Sequence, residues 1–175
     1  IMGDIDPCTD QATVNGLFAN WIAQFSYNGG CQPVYEADLS GFSAPDVCIG
    51  GTVSVTYCAE DFCGQYDECT RSFYVPAAPA LTISCPDDVI EGDIEPCTDQ
   101  SIVDALFAEW IAQFTYNEGC PPIDEADLTG YSAPNTCEGG TVTVTYWAED
   151  FCGQYDKCKK CFYGTDGRAW SISFH

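Results

Sequence analysis

Cysteine is the reactive side chain that this sequence uses most heavily, with 13 cysteines among 175 residues. Thiols at this density remain reduced in the cytosol, bind a soft metal ion or form disulfides in an oxidising compartment, and the spacing here favours disulfides. Zinc is disfavoured, because the chain has no paired C-x-x-C knuckles and its single histidine, His175, does not complete a ligand set. We therefore predict a secreted protein that is stabilised by disulfides.

Acidic residues supply the other reactive groups, and 27 of them against five Lys and Arg give a net charge of −22. This charge argues against nucleic acid as a partner, because phosphate binding needs clustered cations. It argues equally against docking on anionic lipid, and the sequence has no apolar run long enough for membrane insertion.

Catalysis has little support in the residue types. A nucleophilic triad needs a base such as histidine, and no Ser or Cys motif lies near His175. A pair of carboxylates of the glycosidase type is the remaining catalytic alternative. Because both halves of the chain carry the same acids, as tandem scaffolds do, we predict that the protein is not an enzyme.

Calcium is the alternative chemistry for the carboxylates, since oxygen ligands in loops suit a hard cation. The candidate ligands flank one turn in each half of the chain, and they are Glu60, Asp61, Asp67, Glu149, Asp150 and Asp156. No D-x-D-x-D-G loop accompanies them. A solvated acidic surface is the competing interpretation and the one that we favour.

An internal repeat with a period of 89 residues organises the chain, and roughly two-thirds of positions 4–74 match their copy. Residues 59–67, for example, return unchanged as residues 148–156. The predicted organisation is repeat 1 at 1–75 without its first strand, a linker at 76–80, repeat 2 at 81–164, and the first strand of a third repeat at 165–175. We expect the chain to be a piece of a longer array.

Each repeat is predicted to be mainly β with one short helix. Thr9 and Asp10 are typical helix caps, and the apolar residues that follow have helical spacing. The predicted apolar face consists of Val14, Leu17, Phe18, Trp21, Ile22 and Phe25, with the same pattern in repeat 2. Residues 52–57 alternate strictly and predict a strand with Val53, Val55 and Tyr57 inward, and residues 63–67 read as a hairpin turn.

The cysteine spacing admits several disulfide frameworks, and chain order favours one of them. In repeat 2 a bridge from Cys97 to Cys120 would join the two ends of the helix, and Cys137 and Cys152 would form the next pair. Cys85 on the first strand would then bond to Cys158 on the last strand. By analogy, the predicted pairs of repeat 1 are Cys8 with Cys31 and Cys48 with Cys63. Cys69 would pair with a cysteine on a first strand that repeat 1 lacks, whereas Cys58 and Cys161 have no counterpart in the other repeat.

Several of these segments resemble the HYR-like repeats of bacterial surface proteins. The resemblance lies in residues 81–88 with their Cys-Pro, in the hairpin at 141–153, and in the final strand from Cys158 to Phe162. It implies tandem immunoglobulin-like β-sandwich modules, each with an inserted helix and several disulfides. The version with many cysteines is similar to repeats of very large Bacteroidetes adhesins, which are exported by type IX secretion and serve in gliding, attachment or surface filaments.

This resemblance implies a structural or adhesive function at the cell surface, in a stalk or filament whose partners are other copies or neighbouring repeats. The segment at 169–174 has the strand pattern, and its Trp170, Ile172 and Phe174 are candidates for strand exchange into repeat 1 of a neighbouring chain. Continuity within one long array is the alternative. A second functional hypothesis is carbohydrate binding, with Tyr35, Tyr66 or Tyr155 stacking on sugar rings of surface glycans.

Overall fold

The computed structural model describes residues 5–167, which form two compact units that divide between Pro79 and Ala80. This division falls within the segment that was predicted as a linker. The architecture is mainly antiparallel β-sheet with two short helices, as predicted. The candidates Trp170, Ile172 and Phe174 lie outside the described residues. No helix in the described range has the length and apolarity to cross a membrane.

Unit 1 consists of one helix and a three-stranded antiparallel sheet. In chain order its elements are α1 (Gln11–Ile22), β1 (Pro33–Glu36), β2 (Gly51–Asp61) and β3 (Tyr66–Val75). The strand order in the sheet is β1-β2-β3. The long hairpin of β2 and β3 runs in continuous register from Gly51 opposite Val75 to Glu60 opposite Tyr66.

Unit 2 has the same elements and one additional strand pair. Its elements are β4 (Thr82–Ser84), α2 (Gln100–Ile111), β5 (Thr115–Asn117), β6 (Asp124–Glu125), β7 (Gly140–Glu149) and β8 (Tyr155–Gly164). Strands β6, β7 and β8 repeat the sheet of unit 1, whereas β4 and β5 form a separate two-stranded antiparallel sheet.

Helix α1 begins where the sequence predicts, because the Asp10 side chain accepts a hydrogen bond from the backbone N–H of Thr13 at 2.9 Å. Asp99 caps α2 in the same way through Ser101. The apolar face is narrower than predicted. Leu17 is 39% exposed, because one side of a helix that packs on a sheet remains in water.

Aromatic rings join each helix to its sheet. In unit 1 the ring of Phe73 on β3 lies edge-on to Phe18 with centroids 5.1 Å apart, and 5.4 Å from the ring of Trp21. Unit 2 repeats the cluster with Phe162 at 5.1 Å from Phe107. The inward positions predicted for β2 are correct, with Val55 and Tyr57 buried and Val53 half-buried against this core.

Candidate functional site

Strand β4 of unit 2 shows how this architecture holds an extended segment. It pairs antiparallel with β5, with Ile83 opposite Tyr116. On its other side the backbone N–H of Leu81 donates to Oε1 of Gln154 at 3.2 Å, and the N–H of Ile83 donates to Oδ2 of Asp156 at 3.1 Å. Both edges of the segment are therefore hydrogen-bonded, one by backbone and the other by two side chains.

The apolar side chains of this segment also complete the core of unit 2. Leu81 is 7% exposed, and Ile83 packs against the cluster that contains Phe107 and Phe162. A disulfide between Cys85 and Cys158 then ties the end of the segment to β8, which is the pairing predicted from the sequence. The residues at 81–85 thus supply apolar contacts at alternate positions and a covalent bond at the fifth.

Unit 1 presents the corresponding groups, and none of the described residues 5–167 forms a strand between them. Gln65, Asp67 and Cys69 are the counterparts of Gln154, Asp156 and Cys158, and all three are exposed where the unit 2 residues are half-buried. Residues 26–28 correspond to β5, yet they belong to no strand in the described structure. In unit 2 the corresponding residues form β5 because β4 pairs with them, and an edge segment becomes a strand only when a neighbour pairs with it.

These groups line an open groove of 610 Å³ on unit 1, which we call the acceptor groove. Its lining includes Tyr27, Gly30, Tyr57, Gln65, Asp67 and Cys69. The volume lies within the range of about 300–1,000 Å³ that is typical of ligand pockets. The Tyr57 hydroxyl donates a hydrogen bond to the Glu36 carboxylate, and this bond raises the pKa of Tyr57 to about 12.

The carboxylate of Asp61 organises the rim of the acceptor groove. It accepts hydrogen bonds from the backbone N–H groups of Cys31, Cys63 and Gln65, each at 2.9 Å. These donors favour the ionised form and lower the pKa of Asp61. In unit 2, Asp150 accepts from Cys120 and Gln154 in the same way. Asp61 therefore positions Gln65, whose counterpart Gln154 binds the segment that contains β4 in unit 2.

The acidic residues considered for calcium do not converge on one point. Asp61 is buried and Glu60 is exposed, because neighbouring residues of β2 point to opposite faces of the sheet. The Asp61 oxygens already accept backbone hydrogen bonds, and Oδ2 of Asp156 accepts from Ile83. Among the described residues, the groups close enough to share an ion are Cys31, Asp61 and Cys63, and their counterparts Cys120, Asp150 and Cys152.

The disulfide framework differs from most of the predicted pairs. Cys120 and Cys152 are disulfide-bonded and their sulfurs lie within 4.8 Å, whereas Cys97 and Cys137 are free thiols. The predicted pairs Cys97–Cys120 and Cys137–Cys152 are therefore wrong.

The predicted pairs of unit 1 are wrong for the same reason. Cys8 and Cys48 are disulfide-bonded, and Cys31 is a free thiol whose sulfur lies 3.1 Å from that of Cys63. The cause is tertiary, because Asp61 draws the backbone of Cys31 and Cys63 together.

Gln11, the first residue of α1, connects the start of this helix to the loop that contains Cys48. The side chain of Gln11 donates to the carbonyl of Pro45 at 3.2 Å and accepts from the N–H of Val47 at 3.0 Å. This contact brings the region of Cys8 to that of Cys48. Gln100 repeats it with Pro134 and Thr136 in unit 2.

We predict that the fully oxidised protein contains two further disulfides, Cys31–Cys63 and Cys97–Cys137. Each pair is the counterpart of cysteines that are bonded in the other unit, and the sulfurs of the first pair are already in contact. Peptide mapping by mass spectrometry without reduction should recover both cross-links. Recovery of a peptide that joins Cys97 to Cys120 would contradict this framework.

The pKa shift of Asp61 predicts loss of stability in acid. Its pKa is lowered from 3.8 in the folded state, so its contribution is complete above 3.8 and is lost as the pH falls through the lower folded value. We expect Asp61→Asn to reduce stability at pH 6 and to flatten its decline below pH 4. Denaturant midpoints between pH 2 and 6 measure this, with Glu60→Gln on the exposed neighbour as the control.

The tyrosines considered for sugar binding lie on the opposite face of the strands from the core. Tyr35 and Tyr66 both stand opposite Glu60 in the sheet register and are more than half exposed. Tyr155 stacks on Trp147 with ring centroids 6.2 Å apart. They are thus accessible, but only Tyr66 contributes to the lining of the acceptor groove.

Sequence reasoning overlooked the roles of Gln65 and Asp67. The repeat did contain a sign of these roles. Both residues are identical in the second repeat, as Gln154 and Asp156, whereas the next residue changes from Glu68 to Lys157. Comparison of the chain with protein-family models, with curated proteins and with solved structures finds no match. The acceptor groove therefore stands on its geometry alone.

Proposed function

We propose that this protein is an extracellular structural module that assembles by strand addition. In this proposal each unit acts as an immunoglobulin-like module of a tandem array that forms a surface stalk or filament. The acceptor groove of one copy receives the segment at 169–174 of a neighbouring copy. Disulfides in both units suit an oxidising environment outside the cell.

The observation that carries this proposal is the occupied equivalent of the groove in unit 2. Leu81, Ile83 and Cys85 of unit 2 lie in positions that the acceptor groove leaves open to solvent. The period of 89 residues aligns them with Trp170, Ile172 and Phe174. The incoming segment would thus bring an apolar side chain to each of the three positions.

The polar groups of the groove match a strand equally well. In unit 2 the side chains of Gln154 and Asp156 accept hydrogen bonds from the N–H groups of β4 and its preceding residue. Gln65 and Asp67 offer the same two acceptors in unit 1. Residues 26–28 offer the backbone edge that β5 offers to β4. Backbone hydrogen bonds of this kind provide affinity for any extended chain, and the alternate side-chain positions provide specificity.

Strand addition between copies leads to an open assembly. The donor segment and the acceptor groove are different surfaces of one chain, so the contact is heterologous and leaves a free donor and a free acceptor at the ends. Such contacts continue head to tail and form a filament when the rotation does not close a ring. The resulting product is a fibre with many identical junctions.

A cysteine placed in the donor segment tests this arrangement. In the Phe174→Cys variant the new thiol should meet Cys69 of the next copy, so oxidation should produce a ladder of covalent multimers on a non-reducing gel. Adding Cys69→Ser should abolish the ladder. Ser173→Cys is the matched control, because the neighbouring side chain of an extended strand points away from Cys69.

A second experiment tests strand addition without an introduced cysteine. The native chain should form filaments in negative-stain electron microscopy, and Ile172→Asp should abolish them because it places a charge in the apolar part of the groove. Strand addition would be excluded if Phe174→Cys remained monomeric at high protein concentration, or if Phe174→Cys and Ser173→Cys cross-linked to the same extent.

A further inference from the structure

The thiol of Cys69 occupies a distinctive place in the acceptor groove. It lies on β3 directly opposite the buried Tyr57, on the core side of the sheet, and yet it is exposed. Its counterpart Cys158 is half-buried and bonded to Cys85 of the segment that fills unit 2. The thiol therefore faces the position that the fifth residue of an added strand would take.

We infer that Cys69 makes the acceptor groove a covalent acceptor for strands with the pattern apolar-x-apolar-x-Cys, the pattern of residues 81–85. The donor is a strand of this type from another module. The inference rests on the proposed strand addition and names a second class of donor for the same groove. A donor strand with phenylalanine at the fifth position, as at Phe174, forms a reversible junction. A donor strand with cysteine at that position forms a covalent one.

The bond-forming step is a thiol–disulfide exchange. The donor cysteine arrives as a mixed disulfide with a low-molecular-weight thiol, and the Cys69 thiolate attacks the donor sulfur. A disulfide forms between Cys69 and the donor, while the small thiol leaves as its thiolate and takes a proton from water. One disulfide replaces another, so the step needs no further oxidant.

The other free thiols of unit 1 are not placed for this reaction. Cys58 stands opposite Glu68 in the register, on the outer face of the sheet and away from the core side. Cys31 and Cys63 have their sulfurs 3.1 Å apart and are suited to bond with each other. Cys69 is thus the thiol at the donor's fifth position.

Binding in the groove should accelerate the exchange. A strand held by Gln65, Asp67 and residues 26–28 keeps its cysteine at an effective concentration of about 1 mM or higher. At a peptide concentration near 10 μM in free solution, this corresponds to roughly a 100-fold increase in the rate at Cys69. The increase depends on the apolar side chains as well as on the thiol.

The experiment uses the full chain and a peptide with the sequence of residues 81–88, activated at its cysteine as a 2-thiopyridyl disulfide. Release of thiopyridone measures the rate, and mass spectrometry identifies the modified cysteine. We expect modification at Cys69 about 100-fold faster than with a peptide carrying Ile83→Asp. The Cys69→Ser variant should lose the fast phase, whereas Cys58→Ser should retain it.

A second peptide separates this inference from the proposed function. A peptide with the sequence of residues 170–175 contains no cysteine, and calorimetry measures its reversible binding to the groove. If it binds while both activated peptides react at equal rates, the covalent inference fails and strand addition stands. If it does not bind and the 81–88 peptide has no rate advantage, both proposals fail.

Discussion

Replacing Phe73 with alanine should lower the free energy of unfolding of unit 1 by about 3–5 kcal/mol. Phe73 is fully buried and its ring contacts those of Phe18 and Trp21 on α1. The substitution removes these contacts and leaves a cavity between helix and sheet, which the aromatic rings of α1 fill only in part. Denaturant unfolding followed by tryptophan fluorescence measures the loss, since Trp21 lies in the affected cluster.

Two matched variants make this prediction specific. Tyr74→Ala changes the next residue of β3, whose side chain is 63% exposed, and should cost less than about 1 kcal/mol. Phe162→Ala changes the counterpart of Phe73 in unit 2 and should cost as much as Phe73→Ala. Similar losses for Phe73→Ala and Tyr74→Ala would mean that the aromatic cluster is not the core of unit 1.

Removing the disulfide between Cys85 and Cys158, with serine at both positions, should destabilise unit 2 by roughly 4 kcal/mol. The bond joins residues separated by 73 positions, and closing a loop of that length strongly restricts the unfolded chain. The variant should also loosen β4, which then depends on β5 and on the side chains of Gln154 and Asp156. Hydrogen exchange of peptides from 81–85 measures this loosening.

The control for this variant is Cys161→Ser, which removes a free thiol from the outer face of β8 and should change stability by about 0.5 kcal/mol or less.

Loss of the disulfide should also change peptide binding, because release of β4 would create in unit 2 a groove like that of unit 1. The double-serine variant should therefore bind more of the 170–175 peptide than the native chain. Unchanged exchange in 81–85 would show that the disulfide does not hold β4.

Local patterns in the sequence predicted much of the fold. The strict alternation at 52–57 identified a strand of the central hairpin, and Asp10 before an apolar run of helical spacing identified the start of α1. These features depend on neighbours within a few residues, so side-chain periodicity and capping determine them. The Cys85–Cys158 bond was predicted correctly because Cys85 directly follows the first strand of the unit and Cys158 lies on the last.

The helical face and the calcium ligands show the limit of such patterns. Spacing placed Leu17 on the apolar face, but the width of the buried stripe depends on the sheet beneath it. Acidic composition at one turn suggested a cation site, whereas the fold uses Asp61 to accept backbone N–H groups. Composition alone does not distinguish a carboxylate that is free from one that is already hydrogen-bonded.

The sequence by itself determined the repeat, the mainly β architecture with its helices, and the absence of clustered cations for nucleic acid, because these depend on residue types and local spacing. Only the tertiary structure decided which cysteines meet, since Asp61 and Gln11 draw together segments that are distant in the chain. It also decided that unit 1 has an acceptor groove, because residues of β2, of β3 and of 26–28 line that groove and approach one another only in the folded unit.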